Sequence, residues 1–172
     1  RMVRAVGRGI RLTEATLQYG KAEESPPQMM RLNLKLALDE AAADAMATEG
    51  EGEWVNAIAD GTAITADPDH VHRIFLNLFR NALQAMTLTG GKIRLSVSAG
   101  AEDGYMRIEI ADAGPGLPPK ARENLFQPFT SSTRREGTGL GLTTARELAR
   151  AHGGDIVLVR TGADGTVFAV TL

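Results

Sequence analysis

The sequence predicts an α+β protein that folds as a two-layer α/β sandwich. Alternating, strand-like segments come in consecutive pairs, joined by glycine-containing turns at 100–104 and 161–165. Helical segments stand between these pairs, which favours helices packed on a layer of antiparallel strands. With 172 residues, of which 43% are hydrophobic and 23% are charged, the chain can bury the core of one domain and carry an appendage.

Charge and composition exclude several classes of protein. A net charge of −2 gives no bulk electrostatic reason to expect nucleic-acid binding. The lack of Cys excludes disulfides, thiolate nucleophiles and Cys-ligated zinc. We find no apolar run of about 20 residues and no signal-peptide pattern, so we expect a cytoplasmic domain. The chain opens in mid-helix style at Arg1, which favours a fragment of a longer protein that can itself be membrane-anchored.

Residues 1–20 have the spacing of a helix in a bundle. The positions of one narrow stripe recur at alternating intervals of three and four residues, at Val3, Val6, Ile10, Thr13 and Leu17. Such a stripe needs a partner helix, from the same chain or from a second one. The polar stretch that follows indicates a linker at 21–30, and the main domain is predicted over 31–172.

The main domain is predicted as strands that alternate with helices. We expect strands at 31–36, 54–58, 63–66, 92–98, 105–111, 156–160 and 167–172. We expect helices at 38–46, 67–86, 118–124 and 140–151, and a loop at 126–138. The helix at 67–86 has the clearest start signal, an acidic N-cap followed by Pro. Its core stripe is predicted to consist of Val71, Ile74, Leu78, Ala82 and Ala85.

The segment Asn77-Leu-Phe-Arg-Asn81 is the first candidate for chemistry. Its two Asn residues are four apart, so they share one face of the helix, and Gln84 follows three residues later. Amide oxygens are ligands that Mg²⁺ accepts alongside substrate phosphates. A pair of solvent-exposed amides on a helix is the alternative that these residues alone leave open.

Two glycine-rich turns are the next candidates. Asp112-Ala-Gly114-Pro-Gly116 directly follows a strand, so its carboxylate can accept an exocyclic amine while its glycines let the backbone approach a flat ligand. A plain strand-ending turn is the alternative. Gly137-Thr-Gly139-Leu-Gly141 opens a helix, whose exposed N–H groups favour a phosphate. It is neither a Rossmann fingerprint, since no strand immediately precedes it, nor a P-loop, since no Gly-Lys-Ser/Thr follows.

A loop with two phenylalanines and two arginines lies between these turns. The segment Leu125-Phe-Gln-Pro-Phe129 can anchor one end of the loop on the core. The polar remainder, with Arg134 and Arg135, can close over the phosphates of a ligand. A solvated surface loop is the alternative for the arginines taken singly.

In this order and spacing, these segments resemble the catalytic and ATP-binding domain of sensor histidine kinases. Residues 77–82 resemble the N box of that family, 112–116 the G1 box, 125–129 the F box, 137–142 the G2 box and 165–168 the final Gly-Thr box. The resemblance covers about 32–172 and extends to the wider superfamily of gyrase, heat-shock chaperones and mismatch-repair ATPases. It implies the Bergerat fold, a mixed sheet backed by three main helices, here preceded by one bundle helix, with ATP held under a mobile lid at 126–138.

The resemblance also implies roles for individual residues. Asp112 should bind the adenine amino group, with Thr166 near the adenine through water. Asn81 should ligate Mg²⁺ with Asn77 close by, and these two are the candidate catalytic residues. The nucleotide-binding residues that the resemblance implies for ATP are Asn81, Gln84, Asp112, Gly114, Gly116, Phe129, Arg134, Arg135, Gly137, Thr138, Gly139, Leu140, Gly141, Leu142 and Thr166.

The activity that the resemblance implies is that of a protein-histidine kinase, which transfers the ATP γ-phosphate to a histidine for relay to an aspartate of a response regulator. Hydrolytic relatives carry a Glu, the general base for water, where this chain has Asn77, and an amide takes up no proton. A neutral imidazole is already nucleophilic, so Asn77 favours phosphotransfer to histidine. An ATP-hydrolysing or a binding-only member of the same fold remains the alternative.

The implied partners are the dimerisation and phosphoacceptor helices of the parent kinase and a response regulator. We expect the parent to be a homodimer, whereas this chain, with one bundle helix, can be monomeric. The acceptor of such kinases lies on the first helix of the dimerisation domain, and none of the three histidines fits that place. His70 and His72 are expected on the surface, and His152 is expected to interact with the dipole at the end of its helix.

Overall fold

The computed structural model describes residues 26–90, 93–128 and 139–172, in which strands and helices alternate. The elements are β1 (Met30–Asn33), α1 (Leu34–Glu49), β2 (Glu53–Asn56), β3 (Ala63–Ala66), α2 (Pro68–Thr89), β4 (Arg94–Glu102), β5 (Tyr105–Asp112), α3 (Pro119–Glu123), α4 (Gly141–Ala151), β6 (Asp155–Gly162) and β7 (Gly165–Thr171). In these ranges, no helix has the length and apolarity needed to cross a bilayer. The helix predicted at 1–20 lies outside the described residues.

The main sheet has five strands in the order β2-β4-β5-β7-β6. The β2 and β4 strands run parallel, and the other three neighbouring pairs are antiparallel. The sheet is therefore mixed, as predicted. The β1 and β3 strands form a separate, antiparallel pair that precedes α2.

The helices form the second layer of the predicted sandwich. The α1 and α4 helices pack on either side of α2, with α1 next to β2, α2 next to β4 and β5, and α4 next to β6. The core between the layers is continuous and includes Phe75 and Phe79 of α2, Leu95 of β4 and Ile108 of β5, all fully buried. The three long helices and the short α3 confirm the predicted α+β architecture.

The start signal of α2 acts as predicted. The Asp67 carboxylate accepts hydrogen bonds from the backbone N–H groups of Asp69 and His70, at 3.0 and 3.1 Å, which caps the helix. The helix extends to Thr89, three residues beyond the predicted end, and is followed by Gly90 in the left-handed conformation.

The predicted core stripe of α2 is correct at four positions and wrong at Ala85. Val71, Ile74, Leu78 and Ala82 are buried. Ala85 is only half-buried, because the helix buries a broader face that also includes Leu83 and Met86.

Two predicted strands are too long. The strand predicted at 31–36 ends at Asn33, whose side chain accepts a hydrogen bond from Leu36 N at 3.2 Å and so caps α1. Within α1, Leu34 is fully buried and Leu36 is 64% exposed, so the Leu alternation belongs partly to a helix. The strand predicted at 54–58 ends at Asn56, whose Oδ1 accepts from Ile58 N at 3.1 Å and turns the chain.

Both predicted hairpins are present, with shorter turns than expected. The β4–β5 turn consists of Asp103 and Gly104, with φ of 50° and 86°, as a two-residue hairpin turn requires. The β6–β7 turn is likewise two residues long, at 163–164. The tight second turn sets the register that places Thr161 opposite Thr166.

Candidate functional site

The end of β5 presents a partly buried carboxylate, that of Asp112. Its Oδ1 accepts hydrogen bonds from the backbone N–H of Gly114 at 2.8 Å and from that of Thr166 at 3.2 Å. Burial raises the pKa of Asp112, and the two hydrogen bonds oppose that rise because they stabilise the charged form. In the described part of the chain both donors address Oδ1, so Oδ2 is available to an N–H of a ligand.

Glycines let the backbone come close to Asp112. A Cβ on Gly114 would lie 2.9 Å from Asp112 Oδ1 and 3.3 Å from Cγ of Met86 in α2. Gly165 has a φ of +120°, and a Cβ there would overlap the carbonyl oxygen of Asp112. Gly116 has a φ of +78° and packs in the same way against the last residue of β6. Backbone rather than side chains therefore forms the walls beside Asp112.

Two threonines continue this site across the sheet. Thr166 of β7 is paired with Asp112 of β5 and with Thr161 of β6, so the three side chains form a row on one face. Thr166 is only 4% exposed, and its hydroxyl lies 3.1 Å from that of Thr161. Thr161 Oγ1 also accepts a hydrogen bond from Leu117 N at 2.7 Å. Thr161 was not expected from the sequence, although the register of the β6–β7 hairpin would have placed it there.

The α2 helix passes both the turn at Gly114, which follows Asp112, and the start of α4. Asn77 Oδ1 lies 3.3 Å from the position that a Cβ on Gly141 would take, so Asn77 contacts the first residue of α4. Asn81, partly buried, lies one turn further on the same face. Met86 borders Gly114 at the other end. A rise of about 1.5 Å per residue puts Asn77 and Met86 roughly 13 Å apart along the helix axis.

Gln84 makes a contact between helices. Its Nε2 donates to Glu49 Oε1 at 2.8 Å, and Arg80 Nε donates to the same oxygen at 3.0 Å. Since Glu49 is the last residue of α1, these hydrogen bonds join α1 to α2. The nucleotide-binding role expected for Gln84 stays a prediction.

The second glycine turn leads directly into α4. Gly139 has a φ of +70°, Leu140 is buried and Leu142 packs against the core, which fixes the turn relative to the sheet. Among the residues that the structure describes, no side chain caps α4, so the N–H groups of its first turn are available to an anion. The Asn77 amide lies beside this helix terminus.

The first residue of the expected lid, Phe126, is anchored on α4. The Phe126 ring packs against the core, and the Arg146 guanidinium lies 4.3 Å from its centroid. Thr143 Oγ1 donates to the Phe126 carbonyl at 3.4 Å. Arg146 is held in turn by Asp155, whose pKa is lowered to about 2 by the hydrogen bonds from that guanidinium. The anchoring expected for this segment is therefore confirmed at Phe126.

Several expected site residues fall outside the described residues. They are Phe129, Arg134, Arg135, Gly137 and Thr138. Their roles stay predictions.

A histidine junction joins α2 to α4, and we call the region that Asp112, Asn77 and Gly141 border the cleft. Asp67 N donates to His152 Nε2 at 3.1 Å, and His152 Nδ1 lies 2.8 Å from the Leu148 carbonyl, so the end of α4 is joined to the start of α2. The surface position expected for His70 is wrong, because its ring packs against His152 at 5.4 Å and its Nδ1 is buried. His72 is partly exposed and pairs with Asp44.

The donors fit a complex of Mg²⁺ with a nucleotide. In the ranges that the structure describes, no group of three His, Cys, Asp or Glu residues is placed to hold a metal ion. Asn77 supplies a neutral oxygen beside the start of α4, and Asn81 carries a second amide one turn along α2. Mg²⁺ takes most of its ligands from phosphates and water in such sites, so phosphates would have to accompany it here.

Comparisons with known proteins agree with this geometry. Residues 66–172 match the family described as histidine kinase-, DNA gyrase B- and HSP90-like ATPases. The sensory histidine kinase/phosphatase NtrB of Escherichia coli O157:H7 is 42% identical over 98 residues, which cover 52% of this chain and 28% of that protein. The sensor histidine kinase ZraS of Escherichia coli K12 is 34% identical over 109 residues, which cover 63% of this chain and 23% of that protein. The chain thus spans about a quarter of the length of these relatives.

Solved structures show the same fold. Full-length ShkA in complex with AMPPNP superposes with a TM-score of 0.77 at 25% identity, over 99% of this chain and 37% of that one. The mycobacterial sensor histidine kinase MprB superposes with a TM-score of 0.69 at 23% identity, over 84% of this chain and 96% of that one. Together with the match over 66–172, which includes the row at Asp112, the Asn face of α2 and the start of α4, this shows that the chain belongs to the family of histidine kinase-, DNA gyrase B- and HSP90-like ATPases.

Proposed function

We propose that this chain is the ATP-binding catalytic domain of a two-component sensor histidine kinase. It transfers the γ-phosphate of ATP to a histidine of a dimerisation domain, from which the phosphate passes to an aspartate of a response regulator. The observation that carries the proposal is a cleft with two chemically different ends. A carboxylate that accepts hydrogen bonds lies at one end, and amide oxygens beside an uncapped helix terminus lie at the other.

At the first end, Asp112 selects the base. Its Oδ2 accepts the exocyclic amine of adenine, while Gly114 and Thr166 hold the other oxygen in place. The glycines at 114, 116 and 165 leave room for a flat base next to the backbone. Guanine presents a carbonyl oxygen where adenine presents an amine, so a carboxylate at this position disfavours it.

At the other end, the phosphates meet the start of α4. The free N–H groups of its first turn bind phosphate oxygens, and Gly139 and Gly141 keep side chains out of their path. Asn81 would hold Mg²⁺, and Asn77, which contacts Gly141, would lie close by. Mg²⁺, when bound, neutralises the charge that develops on the transferring phosphoryl group. We assign to Arg134 and Arg135 the neutralisation of charge on the same phosphates.

Asn77 distinguishes phosphotransfer to histidine from hydrolysis. Activating a water molecule requires a base, and an amide accepts no proton. A neutral imidazole attacks without such help, so positioning and charge neutralisation suffice here. The similarity to NtrB and ZraS, both histidine kinases, supports this branch of the family.

The direct test uses a protein extended upstream of Arg1 through the first helix of the dimerisation domain. After incubation with Mg²⁺ and γ-labelled ATP, we expect a protein label that is labile to acid and stable to alkali, as phosphohistidine is. The label should be lost in Asn81→Ala. Steady phosphate release without any protein label would identify an ATPase instead, and nucleotide binding with neither product would identify a binding-only module.

A further inference from the structure

The polar row at the Asp112 end of the cleft includes one threonine for which the proposed function gives no role. Thr161 is partly buried and is paired with Thr166 across β6 and β7. Its hydroxyl oxygen accepts a hydrogen bond from Leu117 N at 2.7 Å and lies 3.1 Å from the Thr166 hydroxyl. Thr161 therefore connects the loop after β5 to the residue that lies beside Asp112.

The direction of this hydrogen-bond chain follows from its first donor. A backbone N–H can only donate, so Leu117 N uses one lone pair of Thr161 Oγ1. Among the described residues, the only acceptor within reach of the Thr161 hydroxyl proton is Thr166 Oγ1. When a bound base or a bridging water accepts the proton of Thr166, both hydroxyl protons have an acceptor only if Thr161 donates to Thr166. The proton of Thr166 is then left to point away from Thr161.

We propose that Thr161 is a specificity-determining positioning residue, which turns the hydroxyl proton of Thr166 towards the bound base. The row then presents an acceptor, Asp112 Oδ2, next to a donor, the Thr166 hydroxyl. Adenine carries the matching pair on its Watson–Crick edge, an amine donor next to the N1 acceptor, whereas guanine carries the reverse. The contact with N1 is made directly or through one bridging water. This inference rests on the proposed function, because it assumes that adenine lies against Asp112.

Thr161 also holds Leu117, so its removal has two consequences that must be separated. Loss of the anchor at Leu117 would weaken every nucleotide alike, since it loosens the loop that all of them contact. Loss of the oriented proton would weaken only nucleotides that carry an acceptor at N1. The analogue 1-deaza-ATP, in which a C–H group replaces N1, separates the two effects, because it keeps the amine and the phosphates.

The experiment measures the affinities of ATP and 1-deaza-ATP, with Mg²⁺, for the wild type, Thr161→Val and Thr161→Ser. One hydrogen bond of ordinary strength corresponds to about a fivefold preference of the wild type for ATP. Thr161→Val, which removes the hydroxyl at nearly constant volume, should abolish this preference. Thr161→Ser, the matched control, should keep it. Thr166→Val should also abolish it, which tests the same chain if Thr161→Val does not fold.

The outcomes separate this inference from the proposed function. A preference for ATP that Thr161→Val retains, or a wild type that binds both nucleotides equally, would overturn the role of Thr161 while the kinase proposal stands. Equal weakening of both nucleotides in Thr161→Val would show that Thr161 serves only as the anchor of Leu117. Absence of any nucleotide binding to the wild type would overturn the proposed function and this inference together.

Discussion

At the Asp112 end of the cleft, the ligand-facing groups are fixed by the backbone of neighbouring strands, whereas at the Asn77 end they belong to the surfaces of two helices. Asp112 is held by two backbone N–H groups and is crowded by Gly114 and Gly165. Asn77 contacts α4 at Gly141, where no side chain of the described residues caps the helix. The first end is thus formed before a ligand arrives, and the second is completed by the ligand's own phosphates. This difference suits a site that must bind one base selectively and release a phosphate.

The largest loss of stability is expected for a substitution at Gly165, beside Asp112. A Cβ in Gly165→Ala would overlap the carbonyl oxygen of Asp112, in a backbone conformation that side chains rarely adopt. Because backbone cannot move aside cheaply, we expect the free energy of unfolding to fall by more than about 3 kcal/mol, or the protein not to fold. Gly104→Ala is the matched control, since Gly104 also has a positive φ but faces open space. Its cost should stay near 1 kcal/mol. Urea unfolding of both variants measures the difference, and similar losses would contradict a close approach at Gly165.

Removing the carboxylate should have the largest effect on ligand binding. In Asp112→Ala, the adenine amine loses its charged acceptor and the N–H of Thr166 loses a partner, so ATP affinity should fall by about 100-fold or more. Calorimetric titration with ATP and GTP measures the loss. Asp164→Ala, in the exposed β6–β7 turn, serves as the control and should bind ATP as the wild type does. Comparable affinity of the wild type for ATP and GTP would contradict the assignment.

The fold was predicted well wherever a local signal and the tertiary structure agree. The N-cap at Asp67 and the Asp103-Gly104 turn are such cases, because local chemistry alone specifies them. Errors arose where one pattern fits two structures. Leu34 and Leu36 alternate like strand residues, yet the cap at Asn33 makes them the first turn of a helix. A window of alternating residues does not show which of the two the packing will select.

The site was predicted in its motifs but not in its supporting contacts. Asp112, Asn77 and Gly141 were found because glycines and polar residues at fixed spacing indicate a ligand. Thr161 and the junction of Asp67 with His152 were missed, since they depend on which residues meet across the sheet or between helices. Such contacts connect residues far apart in the chain, and single-sequence patterns carry no information on them.

The contribution of the Asn77 end to nucleotide affinity should depend on Mg²⁺ rather than on the identity of the base. In the proposed function, Asn81→Ala removes an oxygen ligand of Mg²⁺, so affinity for ATP with Mg²⁺ should fall about tenfold. In excess chelator, the variant and the wild type should bind ATP equally, because the lost ligand then has no metal to hold. The titration in excess chelator is the control for the titration with Mg²⁺. An equal loss with and without Mg²⁺ would place Asn81 against the nucleotide itself.

The smallest expected effect concerns the pair that anchors the lid. Hydrogen bonds from Arg146 lower the pKa of Asp155 to about 2, from 3.8. A lowered pKa stabilises the fold above pH 3.8, and this stabilisation is lost as the pH falls towards 2. The pair is partly exposed, so after allowance for solvent we expect Asp155→Asn to cost about 1 kcal/mol near neutral pH.

The pH dependence gives this prediction its control. The gap in unfolding free energy between Asp155→Asn and the wild type should close as the pH falls to about 2. Asp164→Asn, exposed in the β6–β7 turn, should show no such closing gap. A gap that stays constant from neutral pH to pH 2 would mean that the charge of Asp155 does not stabilise the protein.

We expect one nucleotide to span both ends of the cleft. An NMR titration that follows backbone amide signals at each end is the sharpest test of this arrangement. We would follow Gly114 and Thr166 at one end and Gly141 at the other while adding AMPPNP with Mg²⁺, adenosine, or inorganic triphosphate with Mg²⁺. AMPPNP should shift the signals of all three amides with a single midpoint. Adenosine should shift only the first two, and triphosphate only Gly141. Separate midpoints for the two ends in the AMPPNP titration, or no response of Gly141 to AMPPNP, would contradict the claim.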